Sequence, residues 1–572
     1  MIPRIIWIPV VCLLSVIAVI AGSGHSSGHA QAAWQVGGTP RLVFSTYLGG
    51  STPFDPNSGA LTFAQNAAAD CGGNIYVTGG TQVSDLPVLN AWQPAPLAGS
   101  TMSAFVAKYS PSGRLLWCTY LGGNNQSLGL GIAAMPNGGA VVAGATSSNG
   151  SGPFPTMNGF QTTNNGESDY FVAVFDALGN LLYSTYLGGS GMEGGPGAVF
   201  VDNGSNGNNV AVDARGLVYV TGVTPSGGGG AIKFPVTPNA LQSDMNGSTD
   251  AFLTIINPGK SGASSLIYSS FLGGNEGEQG HGVAVNARGK HITVGGYTRS
   301  TDFPTTPNAF RSQSAPVNYL SNGFVAQFRS SRPGSSSSHY TFRYSTYLGA
   351  DTVDARDDTY GIALGPKGLI VATGRTQSAG FPMTQNGAPS IYNSAPYLLA
   401  NKSGDEPYLV KIDPSLSGAA SLVYSTYLGG GSPPGASEPS GSFGTAVGVD
   451  AKGRAFVGGE TDAQGTQYVP SRYSEEAPSE TPYTKNALIT AAQGDYDAIF
   501  MRISHGGGHL EYSTFFGGSQ SDRTYGLAVD PAGNVALTGL TFSSDFPVKN
   551  PAQTWPGNTN YQNAFVAKFS SR

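Results

Sequence analysis

A chain of 572 residues with 11% charged side chains, 83 glycines and a formal net charge of −6 has too few ionic groups for a set of amphipathic helices. It also has no cluster of Lys or Arg with which to grip a phosphate backbone, so nucleic acid is not expected as a partner. What remains is the recipe for many short strands joined by Gly-rich turns, an all-β protein.

In chain order, the first element is a targeting signal. MIPR places one positive charge before an apolar run from Ile5 to Ala21, and the small-x-small triplet Ala30, Gln31, Ala32 follows. Residues 1–32 read as a secretory signal peptide and 33–40 as a short linker, so the protein is expected to be exported to the periplasm, the cell surface or the medium. An uncleaved anchor is the competing reading, because the run approaches the length of a short membrane span. No later run is apolar for long enough to cross a bilayer, so the mature chain is expected to have no transmembrane segment.

The next element, RLVFSTYLGG from Arg41, opens a motif that returns seven times: FSTYLGG at Phe44, WCTYLGG at Trp117, YSTYLGG at Tyr183, YSSFLGG at Tyr268, YSTYLGA at Tyr344, YSTYLGG at Tyr424 and YSTFFGG at Tyr512. Between copies, three further strand-like runs recur in fixed order. After Gly518 they are YGLAVD, NVALTG beyond the turn Pro531 to Gly533, and NAFVAKF from Asn563. Each unit therefore has four strands, A to D, about 28 in all by the usual strand lengths. Short Gly-tipped turns, such as Ala214-Arg215-Gly216 and Pro111-Ser112-Gly113, join A to B and C to D as hairpins.

The phase of the repeat is informative. The domain opens on a lone D strand (41–50) and closes on a lone C strand (563–569), with six complete units and an A-B-C remainder between them. A linear array would expose a sheet edge at each end, whereas a ring lets the first strand complete the last sheet. The expected architecture is thus a seven-bladed β-propeller of four-stranded antiparallel blades over 41–572. Cys71 and Cys118 fall on strands separated by two others, about 14 Å apart at the usual spacing, too far for a disulfide.

The combination YSTYLGG, GVAVNARGKHITVGG (from Gly282), DFPTTPNAF (Asp302 to Phe310) and AFVAK resembles the bacterial β-propeller repeat family SBBP. The stretch DFPTTPNAF stands in part at Phe234 to Leu241 and at Asp545 to Gln553, and it is lost from the connections 376–406 and 461–493. The resemblance covers about residues 41 to 570 and implies fold, export and repeat number. The family brings no defined catalytic residues, so no site is carried over.

Antiparallel order puts all B–C and D–A connections on one face. The B–C connections are the long ones, and that face is the expected binding surface. The recurring Phe-Pro is read as a hydrophobic plug, not as a ligand contact. Asp351, Asp354, Asp357 and Asp358 share one D–A connection and are the only candidate Ca²⁺ ligands, although no calcium-loop spacing accompanies them and Arg356 supplies a counter-charge. The run 202–207 lacks a carboxylate where a calcium loop wants one. His505 and His509 bracket a glycine hairpin tip with no third ligand nearby, and Gly24 to Gly28 matches G-x-S-x-G only inside the signal.

No catalytic residue and no cofactor is expected. The function read from the sequence is a non-enzymatic, monomeric binding or scaffold module for an extracellular or envelope protein or glycan. The alternative is a polysaccharide-active hydrolase or lyase with carboxylates gathered at the central channel mouth.

Overall fold

A computed structural model of the protein describes residues 38–56, 59–194, 207–227, 232–314, 321–350, 356–378, 380–384, 405–429, 442–462, 465–467, 481–557 and 562–571. The readings made for 1–37 and for 202–206 lie outside them.

The first strand is β1 (Arg41–Leu48). Blade 1 follows as β2 (Thr62–Ala69), β3 (Ile75–Thr81), β4 (Ser103–Tyr109) and β5 (Leu115–Leu121). Blade 2 is β6 (Ser127–Ala134), β7 (Ala140–Thr146), β8 (Asp169–Phe175) and β9 (Leu181–Leu187), and blade 3 is β10 (Val210–Val212), β11 (Val218–Thr224), β12 (Asp250–Ile256) and β13 (Leu266–Leu272). Blade 4 comprises β14 (Glu278–Val285), β15 (His291–Thr298), β16 (Asn322–Ser330) and β17 (Tyr340–Leu348). Blade 5 comprises β18 (Asp357–Leu364), β19 (Ile370–Thr376), β20 (Glu406–Ile412) and β21 (Leu422–Tyr427).

Blade 6 pairs β22 (Phe443–Val449) and β23 (Ala455–Thr461) with β26 (Asp497–Ile503) and β27 (Leu510–Phe515). Its B–C connection carries two strands beyond the expected set, β24 (Gly465–Gln467) and β25 (Thr481–Tyr483), which form a small parallel ribbon. The last sheet runs β28 (Asp522–Val529), β29 (Val535–Thr541), β30 (Asn563–Ser570) and then β1, with Arg41 opposite Ser570 and Leu48 opposite Ala564.

Each A strand touches the A strands of both neighbouring blades: β2 meets β6 and β28, and the contacts continue through β10, β14, β18 and β22 back to β28. The seven sheets are therefore arranged in a ring with the A strands innermost, a seven-bladed β-propeller. Packing from neighbouring blades on both faces explains why β3, β4, β7 and β8 are buried along their whole length and read as continuous apolar runs.

The inner strands are not regular. Six A–B pairs skip one residue at the same place, leaving Gln65, Leu130, His281, Tyr360, Thr445 and Tyr525 as bulges. A bulge bends and twists its strand. Here it also turns a side chain toward the next blade: Thr445 Oγ1 donates to Thr524 O at 2.7 Å, and the His281 ring lies 3.0 Å from Thr359 O. Cys71 is exposed, Cys118 is buried, and neither is in a disulfide.

Candidate functional site

The long B–C connections are held down more tightly than their length suggests. In each of five blades a Phe-Pro phenylalanine is buried and packs on the third residue of strand C: Phe154 on Phe171 at 4.2 Å, Phe234 on Phe252 at 4.6 Å, Phe303 on Phe324 at 4.6 Å, Phe381 on Tyr408 at 4.4 Å and Phe546 on Phe565 at 4.7 Å. The tyrosine of the STYLGG motif pins the same segment. Tyr347 Oη accepts from Phe303 N and donates to Ser300 O, both at 2.9 Å, and Tyr120, Tyr186 and Tyr47 repeat the arrangement.

Beyond the proline the connection runs beside strand D, as in the paired backbone bonds between Leu89 and Cys118 and between Lys549 and Ser45. Most of each described B–C connection therefore covers the outer sheet edge, which would otherwise present unpaired backbone groups. The plug reading of Phe-Pro agrees with this packing.

What the B–C and D–A face presents near the axis is set by one level of the inner strands, a residue near the start of strand A and its cross-strand partner in strand B. In blades 1 and 2 these are Phe63 with Gly80 and Leu128 with Ala145, and Phe63 and Leu128 share a buried apolar cluster with Leu540. In blades 4 to 7 each pair at the same level brings at least one polar or charged group: Gln279 with Tyr297, Asp358 with Arg375, Phe443 with Glu460, and Arg523 with Leu540. The inner rim thus has an apolar arc and a charged arc.

The charged arc is built on ion pairs between buried groups. Arg375 Nε lies 3.0 Å from Asp358 Oδ2 and Arg375 Nη1 3.6 Å from Asp405, while its guanidinium packs over the rings of Tyr360 and Phe443. Arg356, 41% exposed, makes a second bond to Asp358 at 3.1 Å. In blade 6, Glu460 is fully buried and lies 3.6 Å from Arg523 of blade 7. Arg523 stacks on Tyr496 with its guanidinium 4.4 Å from the ring centre, and Arg299 sits 5.9 Å over Tyr297. Tyr496 and Tyr297 are half-buried and Arg299 is exposed, so these two platforms reach solvent.

Titration follows from the same geometry. Burial pushes Asp358 up, but Arg375 and Arg356 outweigh it and hold the carboxyl below the usual range. Burial raises Glu460 to about 7 against the pull of Arg523. Glu406 goes to about 8 through burial and the nearby carboxylates of Asp405 and Asp462.

Of the four aspartates marked as candidate calcium ligands, Asp351 and Asp354 lie outside the described residues. Asp357 and Asp358 belong to β18 rather than to a connection, and as neighbours on a strand they project to opposite sides. Asp357 accepts from Thr376, Ser378 and Ala350 N, whereas Asp358 takes Arg375, Arg356 and Ser321. They do not converge. His505 and His509 are exposed at the tip of the β26–β27 hairpin, closed by Ser504 N to His509 O.

Arg375, Glu460, Arg523 and Tyr496 were not singled out in the sequence. The signal was present: VATGRT and FVGGET put a charge where the other B strands carry Gly, Ala, Val, Tyr or Leu. On the opposite face a cleft of about 500 Å³ opens between the A–B turns of blades 6 and 7, lined by Gly38, Asp450, Lys452, Arg454, Pro531 and Ser571. Among the described residues no helix is long and apolar enough to cross a membrane.

No family model matches the chain. It is 24% identical over 276 residues to the regulatory protein FlaEY of Caulobacter vibrioides, a match covering 47% of this chain and 26% of that protein, so the chain spans about a quarter of that relative's length. Among solved structures, a protein of unknown function from Dyadobacter fermentans aligns over 93% of this chain and 99% of its own at 9% identity and a TM-score of 0.36. The Pan2 WD40 domain of Neurospora crassa covers 92% and 96% at 10% identity, also with a TM-score of 0.36. A europium-containing methanol dehydrogenase covers 93% of both chains at 10% identity and a TM-score of 0.32.

Proposed function

We propose that the protein is an exported, non-enzymatic binding or scaffold module, monomeric, whose B–C and D–A face meets a glycan or protein of the extracellular space or envelope. The observation that carries this reading is the pair of arginine–tyrosine platforms at the rim, Arg523 on Tyr496 and Arg299 on Tyr297, standing over buried ion pairs. Side chains stacked in this way lose little freedom on binding, and amphipathic rings beside guanidinium groups suit polyhydroxylated or peptide surfaces. The covered sheet edges add support, because the connections are rigid enough to hold the platforms in register.

Hydrolysis of a polysaccharide asks for two carboxyl groups that both reach the substrate. Glu460 and Glu406 are sealed from solvent, and Asp358 is taken up by two arginines.

The test is a binding screen of the purified chain against a glycan array and solubilised envelope proteins, repeated with Tyr496→Ala and Tyr297→Ala. A hit that weakens about tenfold or more in either variant supports the reading. Hits indifferent to both substitutions, or release of reducing sugar from a bound glycan, would overturn it.

A further inference from the structure

Where the chain passes from one blade to the next, the first residue of strand C and the leading polar residue of the following unit meet around the first glycine of LGG. At Gly517 a side-chain carbon would lie 2.3 Å from Asp497 Oδ1 and 2.7 Å from Asp522 Oδ2, so only glycine fits between the two carboxyls.

The described junctions fill this node in different ways. At three of them the leading residue is a hydroxyl, Ser127 beside Ser103 at Gly122, Ser442 in the unit after Glu406, and Thr62 in the unit after Asn563, each sharing a hydrogen bond of 2.8 Å with the last threonine of strand B in its own blade, Thr146, Thr461 and Thr81. One joins Asn322 to Asp357 around Gly349. Two acids meet at the remaining three: Asp169 with Glu193, Asp250 with Glu278, and Asp497 with Asp522.

The Asp250–Glu278 node is fully supplied with donors. Gly247 N serves Asp250 Oδ1, Gln242 Nε2 and Asn246 N serve Oδ2, the Thr298 and Ser300 hydroxyls serve Glu278 Oε1, and Gly274 N serves Oε2. The other two nodes are short of donors. Asp169 Oδ1, Glu193 Oε2, Asp497 Oδ1 and Asp522 Oδ1 have none, all four side chains are fully buried, and none makes an ion pair among the described residues. Glu193 is the carboxylate that acts on Asp169, and Asp522 and Asp497 meet at Gly517.

Each of these carboxyls keeps donors on one oxygen only, and two neighbouring carboxylates with the other oxygen bare cannot both stay charged in a dry site. Either a cation or a proton must join them. Calcium takes about six to eight oxygens, and each node offers two; a proton needs only two. The repeat points the same way, because Asn322 and Asn563 stand at the position of Asp169 and Asp497, a neutral amide in place of a carboxyl. We propose that Asp169 with Glu193, and Asp497 with Asp522, each share a single proton, which makes two of the seven blade junctions acid-dependent latches.

The surroundings agree. The first pair is faced by Gln161 and Asn165 from the B–C connection, Thr224 from β11, Tyr170 from β8 and Tyr186 from β9; the second by Thr541 and Ser543 from blade 7 and Tyr47 from β1. None of these is a cation. Burial, then the partner carboxylate, raises Asp169 to about 7, and burial together with Asp497 raises Asp522 to about 7. An aspartate freed by unfolding titrates near 3.8. The native state thus holds the extra protons in between, and their stabilising effect is complete below about pH 4 and lost as pH rises through about 7.

The deciding measurement is infrared titration of the native protein, following the carbonyl stretch of protonated buried carboxyls. Buried carboxyls are expected to lose that band between about pH 5 and pH 8, Glu460 and Glu406 among them, and the change is expected to be one carboxyl smaller in each of Asp169→Asn and Asp522→Asn. Thermal midpoints should fall by several degrees over the same range in the parent and less in the double variant. A loss of band that is the same size in the parent and in both folded variants would overturn the proposal, as would absence of the band at pH 5 in the parent. So would a rise in the parent's midpoint at pH 8 on adding millimolar calcium chloride that the double variant lacks, since the nodes would then hold a cation.

Discussion

Thr46, in the first strand of the ring, lies directly opposite Val566, in the last. The two are 520 positions apart, yet Tyr47 Oη also donates to Ser543 O at 2.8 Å and accepts from Phe546 N. The outermost strand of blade 7 is therefore supplied by the opposite end of the domain, with its own plug attached.

Deleting residues 41–50 is expected to leave the outer edge of β30 unpaired and Phe546 without its tyrosine. Thermal unfolding followed by circular dichroism should show a midpoint lower by about ten degrees or more, with light scattering rising at the transition. A truncated chain that melts like the parent would mean that this strand contributes nothing to the ring.

The blade count and strand order were legible in the sequence because a repeat shows them twice over, in the recurrence of YSTYLGG and in its phase against the chain ends. The rim was not. Whether Arg375 is a surface residue or the centre of a buried network depends on Phe443 of the next blade, a contact that no single unit encodes. The same holds for the facing acids at the junctions. Asp497 and Asp522 look like two ordinary solvated carboxylates until the sheets are set side by side. Of the four aspartates of the fifth unit, the two described ones fall on β18, where the alternation sends Asp357 and Asp358 to opposite sides.

Tyr347→Phe should remove one hydroxyl and two hydrogen bonds at once, leaving Phe303 N without its acceptor inside the blade. Urea unfolding is expected to report a loss of about 1–3 kcal/mol with an unchanged slope. Tyr268 serves as a contrast. Its hydroxyl accepts from Leu241 N at a longer 3.2 Å in a part-buried setting, so Tyr268→Phe should cost less.

Arg375→Met is expected to destabilise by about 3 kcal/mol, the lower end of the cost of breaking a buried pair, because Asp358 keeps a weaker partner in Arg356. The double variant Arg375→Met, Asp358→Asn should recover part of the loss, as no uncompensated charge is then left inside. If the double variant is as unstable as the single one, packing of the guanidinium over Tyr360 and Phe443 outweighs its charge.

The two cysteines should separate cleanly by reactivity. Cys71 is exposed at the β2–β3 turn, whereas Cys118 is fully buried on β5 and burial pushes its thiol up to about 12. The thiolate is the reactive form, so Cys118 lacks both access and ionisation. In a chain expressed from Ala33, which omits Cys12, a thiol reagent at pH 8 should label one cysteine in the native state and two in guanidinium chloride. Because Cys118 sits under the Leu89 segment of the B–C connection, bonded to it at 2.8 and 3.1 Å, its slow native-state labelling would report how often that connection lifts from the edge of blade 1. Fast labelling of both thiols would show that the outer edge is open rather than covered, and the rigid platforms invoked for binding would lose their support.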